Sequence, residues 1–319
     1  LIDVNGMFSQ VDLAPVYLAA GVTTVLDATP DAAFVAAYEK SVVDDRLMAP
    51  SVLTGGFIDG AGGAGVTTAT PDEGRQAVRK LRGDGAKRIE VGDAVADPVL
   101  RAIVQDANRL GLTTGSRAPA GVSAQDLVEG GLDRLESVPP GPLAALWPVM
   151  AKRRASLEPQ LAFLELVAGI KPSAPSSIAR APQSLMRRYR SLVVDGTPGA
   201  GTPAAIAGAL AAVREAQGAG IRVLAGTGPA MPAVAIHREL ELLVQAGMSP
   251  ADALQTATSI AAQSLNQSDI GTVEEGKRAD LLILPASPLA DIANLQRAKW
   301  IVAGGKVWAA EKLWKAAGF

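Results

Sequence analysis

Apolar residues along this chain follow two alternating rhythms. Short runs rich in Val, Ile, Leu and Thr each precede a longer stretch in which apolar positions recur three and four apart. The short runs predict strands at Leu1–Asn5, Val22–Asp27, Pro50–Gly55, Lys87–Gly92, Leu112–Arg117, Asp133–Ser137, Ala155–Gln160 and Ile221–Thr227. The stretches between them predict amphipathic helices. Thr70-Pro71-Asp72-Glu73 is a helix start, with a capping hydroxyl, proline at the first helical position and a carboxylate placed to reach back to the cap. Ala77, Val78 and Leu81 then share one face. Ser249-Pro250-Ala251-Asp252 repeats the device ahead of Leu254, Ala257, Ile260 and Ala261.

Strand–helix alternation with right-handed crossovers gives a parallel sheet. Eight such units predict an α/β fold, a closed (β/α)8 TIM barrel, over residues 1–265. A doubly wound sheet is the runner-up, but no glycine fingerprint joins the first strand to its helix. Residues 171–203, rich in Pro, Ser, Gly and Ala, read as a long rim loop with a basic helical piece at Leu185–Tyr189. Beyond about residue 265 the rhythm changes to short β runs at Ile270–Glu274, Asp280–Pro285 and Lys299–Ala303, and Gly304-Gly305 predicts a tight hairpin turn before Lys306–Ala309. Residues 266–319 therefore read as a small β appendage, the remnant of a β-sandwich, in which Trp300 and Trp308 are expected to pack.

Composition narrows the function classes. The chain has 319 residues, is 48% hydrophobic and 19% charged, and carries a net charge of −2. A near-neutral surface gives no reason to expect nucleic acid or an anionic membrane as partner. No apolar run reaches the length of a membrane-spanning helix. Cysteine is absent and His237 is the only histidine, which leaves no thiol chemistry and few nitrogen ligands for a metal. The chain begins at Leu1, inside a strand, which reads as a fragment or processed form and leaves both a cytoplasmic and an exported location open.

The C-terminal third carries a specific series: His237-Arg238-Glu239-Leu240-Glu241-Leu242-Leu243, Ala246-Gly247-Met248-Ser249-Pro250, Ala253-Leu254, Ala257-Thr258, Ile270-Gly271-Thr272-Val273-Glu274-Glu275-Gly276-Lys277-Arg278-Ala279-Asp280-Leu281 and Val302-Ala303-Gly304-Gly305-Lys306-Val307. With Gly21-Val22-Thr23-Thr24-Val25 and Ala107-Asn108-Arg109-Leu110-Gly111-Leu112, it resembles the amidohydrolase superfamily, above all its imidazolonepropionase- and prolidase-like branch. The resemblance implies hydrolysis of C–N bonds by one or two divalent metals, such as zinc, at the carboxyl ends of the barrel strands. The family's ligands there are a His-x-His pair on strand one, a lysine on strand four, histidines on strands five and six, and an aspartate on strand eight.

Every matching position departs from that pattern. Asn5 and Met7 stand where the two histidines belong, Glu90 replaces the lysine, Arg117 and Ser137 replace the later histidines, and Gly228 replaces the aspartate. Of these, only Glu90 ligates a zinc-type metal well, and Arg117 repels one. Without a metal nothing brings the pKa of bound water toward neutrality. The expectation is therefore no metal and no cofactor, and a pseudoenzyme that binds a small molecule or pairs with a homologous subunit in an oligomer. The alternative is a hydrolase acting on C–N bonds through a metal-independent or rearranged site, with Asp3, Asp27, Asp93 or Glu90 as acid or base. Glu90 and Arg117 sit on adjacent strands and are expected to form a direct ion pair. His237 reads as a packing residue, and Gly60–Gly65 as a flexible loop, since it lacks the Lys-Ser/Thr of a phosphate-binding loop.

Overall fold

The computed structural model describes residues 1–5, 14–27, 37–38, 40–42, 47–63, 65–119, 121–168, 202–228, 230 and 235–319. Its strands are β1 (Ile2–Asp3), β2 (Thr24–Asp27), β3 (Ser51–Thr54), β4 (Gly56–Asp59), β5 (Val66–Thr67), β6 (Arg88–Val91), β7 (Thr113–Ser116), β8 (Arg134–Glu136), β9 (Ser156–Glu158), β10 (Arg222–Val223), β11 (Leu281–Ile283), β12 (Trp300–Ala303) and β13 (Lys306–Ala309). Each of the eight strands expected of the barrel is present. The run at Ser51 continues through Gly55 into β4, so that β3 pairs with β2 while β4 pairs with β6. Residues 51–59 thus form one bent barrel strand, with the short β5 added outside it.

All pairings from β1 to β10 are parallel. The seam between the last strand and the first closes through Val4 N to Ala225 O (3.2 Å) and Gly228 N to Asn5 O (2.8 Å). The fold is therefore a (β/α)8 barrel. Helices α1 (Ala14–Ala19), α2 (Pro71–Gly83), α3 (Asp97–Arg109), α4 (Ala124–Glu129), α5 (Leu146–Arg153), α6 (Leu161–Val167), α7 (Pro203–Gly218) and α8 (Ala235–Gln245) lie along the chain between and after these strands. The α2 start forms a full capping box, with Glu73 N donating to Thr70 Oγ1 (3.3 Å) and Thr70 N to Glu73 Oε2 (3.1 Å). Ser249 caps the second predicted start from one side only, its Oγ accepting from Asp252 N (3.1 Å).

Why the strands sit as they do follows from their alternation. Ile89, Leu135 and Leu157 are wholly buried and belong to the same apolar core as Leu100, Ile103 and Met150 of the helices. Their chain neighbours Arg88 and Glu90, Arg134 and Glu136, and Ser156 and Glu158 point the other way, into the barrel lumen. The rim segment expected at 171–203, with its piece at Leu185–Tyr189, lies almost wholly outside the described residues, and Met7 lies outside them as well.

β11, β12 and β13 form a separate antiparallel sheet. Gly304 and Gly305 both have positive φ (56° and 81°), as a two-residue hairpin turn of type I′ requires. One face, with Leu282, Ile301 and Trp308, packs on Leu18, Ala19 and Leu313. Gly21 marks the closest approach to the barrel, since a Cβ there would stand 2.4 Å from Leu282 Cδ1. Trp300, expected to pack beside Trp308, is instead 46% exposed, because it pairs with Ala309 and so falls on the opposite face from its neighbour Ile301. Among the described residues no helix is long and apolar enough to cross a membrane.

Candidate functional site

The described mapped positions, Asn5, Glu90, Arg117, Ser137 and Gly228, lie toward the carboxyl ends of the barrel strands, where this architecture places its chemistry. The expected Glu90–Arg117 pair does not form. Register explains why: Glu90 lies opposite Gly115, so Arg117 stands two residues nearer the mouth. Gly115 has no side chain, and Glu90 reaches across it to the next strand, where its Oε1 takes a short bond from Arg134 Nη2. A Cβ at position 115 would lie 2.3 Å from Glu90 Oε2, 2.6 Å from Arg134 Nη2 and 2.9 Å from Glu136 Oε1.

Arg134 is the centre of the lumen. Its Nη2 also approaches Glu136 Oε1 (3.3 Å), and its Nε stands 2.9 Å from Glu158 Oε2, off the hydrogen-bond axis. Burial alone would lower the Arg134 pKa, but Glu90, then Glu158 and Glu136, outweigh it and hold the guanidinium charged. Burial pushes the Glu158 carboxyl from 4.5 up to about 8, against the pull of Arg134. Burial and then the nearby charge of Glu90 raise Glu136 above the usual carboxylate range. Below this cluster Arg88 donates to Leu265 O (2.8 Å). Above it Gln160 donates to Glu158 Oε1 (2.8 Å).

At the mouth Arg117 donates from Nη1 to Asp93 Oδ2 (2.9 Å) and from Nη2 to Gln160 Oε1, and lies over the Phe163 ring. Asp3 sits at the seam instead, where it accepts from Thr227 N (3.1 Å), Thr227 Oγ1 (2.7 Å) and Asn5 N (3.2 Å). Burial raises Asp3 from 3.8 to about 6, with Asp27 nearby adding to the rise. Asp27 is buried at the end of β2. The structure thus divides the three aspartates: Asp3 and Asp27 lie near the seam, and Asp93 belongs to Arg117 at the mouth. Ser137, with φ 61°, donates its backbone N–H to Glu158 O (2.7 Å).

His237 is buried on α8 and donates from Nε2 to Ala20 O (2.8 Å), and burial lowers its pKa to about 4. It ties α8 to the end of α1. The glycines after β4 enclose a carboxylate of their own chain, with Asp59 Oδ1 accepting from Gly60 N (2.8 Å) and Ala94 N (3.3 Å). A cavity of about 510 Å³ opens at the opposite end of the barrel, lined by Ile2, Leu254, Ile270 and Leu282. None of the strand-end residues reaches it.

The comparisons fit this geometry. The amidohydrolase family model matches residues 173–306. A bottromycin amidohydrolase superposes with a TM-score of 0.78 at 22% identity, over 100% of this chain and 79% of that one. The fold is that of the amidohydrolase superfamily. A Xaa-Pro dipeptidase with methionine bound in its active site gives 0.76 at 19% identity, over 97% and 86% of the two chains. A putative prolidase from Bifidobacterium longum gives 0.72 at 25%, over 99% and 84%. No curated protein matches.

The superfamily implies a divalent metal at these strand ends, and the residues described here do not fit one. Glu90 is taken by the Arg134 guanidinium, and Arg117 brings a second cation to the mouth. Gly228 stands in the left-handed region (φ 52°), which strains a side chain, and a Cβ there would lie 3.0 Å from the Gln160 amide, so an aspartate fits only if Gln160 gives way. Among the described residues no three His, Cys, Asp or Glu side chains gather to share a metal ion.

The sequence reading missed Arg134, Glu158 and Gln160. The signal was there: charged or polar residues two apart around one buried apolar residue, as in Arg134-Leu135-Glu136, mark a strand with a polar lumen face.

Proposed function

We propose that this protein is an amidohydrolase-like pseudoenzyme, a barrel that has given up metal-dependent hydrolysis and serves to bind a small molecule or to pair with a homologous subunit. The observation that carries this reading is the Glu90–Arg134 pair. The one metal-competent side chain at the mapped positions is neutralised by a fixed guanidinium. Under this reading residues 1–265 hold the ligand and 266–319 form a supporting unit. The test is metal content by mass spectrometry on protein purified without chelators, alongside assays on amides, dipeptides and lactones. The expected outcome is no stoichiometric zinc, iron, nickel, cobalt or manganese and no hydrolysis. One or two tightly bound metals with turnover would overturn the reading.

A second reading is favoured by one observation, the carboxyls of Glu90 and Glu136 gathered on the same Arg134 Nη2. Two carboxyls side by side are the groups that hydrolysis without a metal requires, one as acid and one as base. Turnover of an amide by metal-free protein, lost in Glu136→Gln, would favour it over the first.

A further inference from the structure

The polar lumen ends, at the mouth, on an arginine held firmly on one side and loosely on the other. On the inner side Arg117 donates to Gln160 and lies 5.1 Å from the Phe163 ring centroid. Gln160 is itself buried, donates to Glu158 and has a left-handed backbone (φ 51°) at the start of α6. The direction of the guanidinium is therefore set from behind. Its outer partner is of another kind. The Asp93 side chain is 65% exposed, against 24% for Arg117. An ion pair to a carboxylate so open to water is weakly held and screened by salt. Nη1 and Nη2 of Arg117 each carry two N–H groups and spend one on the bonds to Asp93 and Gln160, so the guanidinium has donor capacity beyond its two bonds. Glu136, the other acid facing Arg117, is kept toward its neutral form by burial and by Glu90, and adds little charge to repel an incoming anion.

We propose that Arg117 anchors the carboxylate of a small ligand at the barrel mouth, and that Asp93 is a built-in competitor which holds the guanidinium until the ligand replaces it. The planar fork of arginine suits a carboxylate, and the location is the end of the barrel where ligands bind. This rests on the reading of the barrel as a ligand-binding one and adds the charged group that the ligand carries.

The test uses the full chain as wild type, Asp93→Asn, Arg117→Gln and Arg117→Lys, titrated calorimetrically with N-acetylglycine and with its neutral counterpart N-acetylglycinamide. Asp93→Asn removes the competitor and is expected to bind the acid about fivefold more tightly than wild type, the ceiling for an exposed pair. Arg117→Gln is expected to lose the acid, and none of the proteins to bind the amide. Circular dichroism and thermal midpoints report whether each variant folds. If Arg117→Gln does not fold, Asp93→Asn and Arg117→Lys carry the test, the lysine being expected to bind more weakly than the arginine. Equal binding of acid and amide, undiminished binding by Arg117→Gln, or no gain in Asp93→Asn overturns the proposal, as does binding of inorganic phosphate in place of the acid. Metal content is read on the same samples, so metal-free protein that ignores the acid sinks this proposal and leaves the loss of metal chemistry standing.

Discussion

Leu135 and Arg134 are buried and Glu136 nearly so within one three-residue strand, yet they meet opposite surroundings. Leu135 faces the helices, among Ile89, Leu157 and Ile103, where burial of each such side chain stabilises the fold by about 1.5–3 kcal/mol. Arg134 and Glu136 face the lumen, where burial costs free energy unless every charge finds a partner. The jacket is held by shape and area and is indifferent to pH. The lumen is held by a charge count that protons can change. Equal burial therefore hides two different kinds of stability, and substitutions on the two faces separate them.

The largest effect is expected from Arg134→Ala, which leaves Glu90, Glu136 and Glu158 facing one another. The loss should be about 3–5 kcal/mol and should grow between pH 5 and pH 8 as the carboxyls ionise. Urea unfolding at both pH values measures it, and an equal loss at each would mean that the lumen charges are not coupled. Leu135→Ala should cost about 2–5 kcal/mol by the same measurement, with no dependence on pH. That contrast is the comparison in its sharpest form.

Wild-type stability should itself fall as pH rises. Glu158 and Glu239 are raised by burial from 4.5 to about 8, and Asp3 from 3.8 to about 6. Their folded pKa values lie above the unfolded ones, so the folded state holds more protons across that interval. The stability they contribute is full below about pH 4 and lost as pH climbs through 8, after which the curve levels. Asp106, lowered by Arg109 and Arg79 despite its burial, and His237, lowered by burial from 6.5 to about 4, work in the opposite sense at the acid end. Glu158→Gln should flatten the fall in the urea midpoint between pH 5 and 8. The smallest change, Thr70→Ala at the α2 cap, should cost about 1 kcal/mol at any pH.

Much of the fold was legible because parallel barrel strands are short apolar runs and their helices open with explicit caps. β4 and β5 were not, since Gly56 to Thr67 is glycine-rich and carries too few β-formers to read as strand. At the site, the departures at Glu90, Arg117 and Gly228 could be seen from residue types alone. Their partners could not. Adjacency of the two strands predicts an ion pair between them, but a two-residue offset and one missing side chain send Glu90 past β7 to β8. Register is a property of the assembled sheet, and residue types along one strand do not encode it. Trp300 shows the same limit, since its face is decided by its pairing with Ala309.

The glycines of the lumen have a consequence for inheritance. A Cβ at 115 would meet Glu90, and a Cβ at 226 would lie 2.4 Å from Glu158 Oε1. Each glycine is thus tied to a glutamate on a different strand, far away in the sequence. In descendants of this chain, position 115 should accept a larger residue only together with changes at 90 and 134, and position 226 only together with a shorter residue at 158. Drift at these sites should proceed in matched sets, and a lone change at either glycine should be disfavoured.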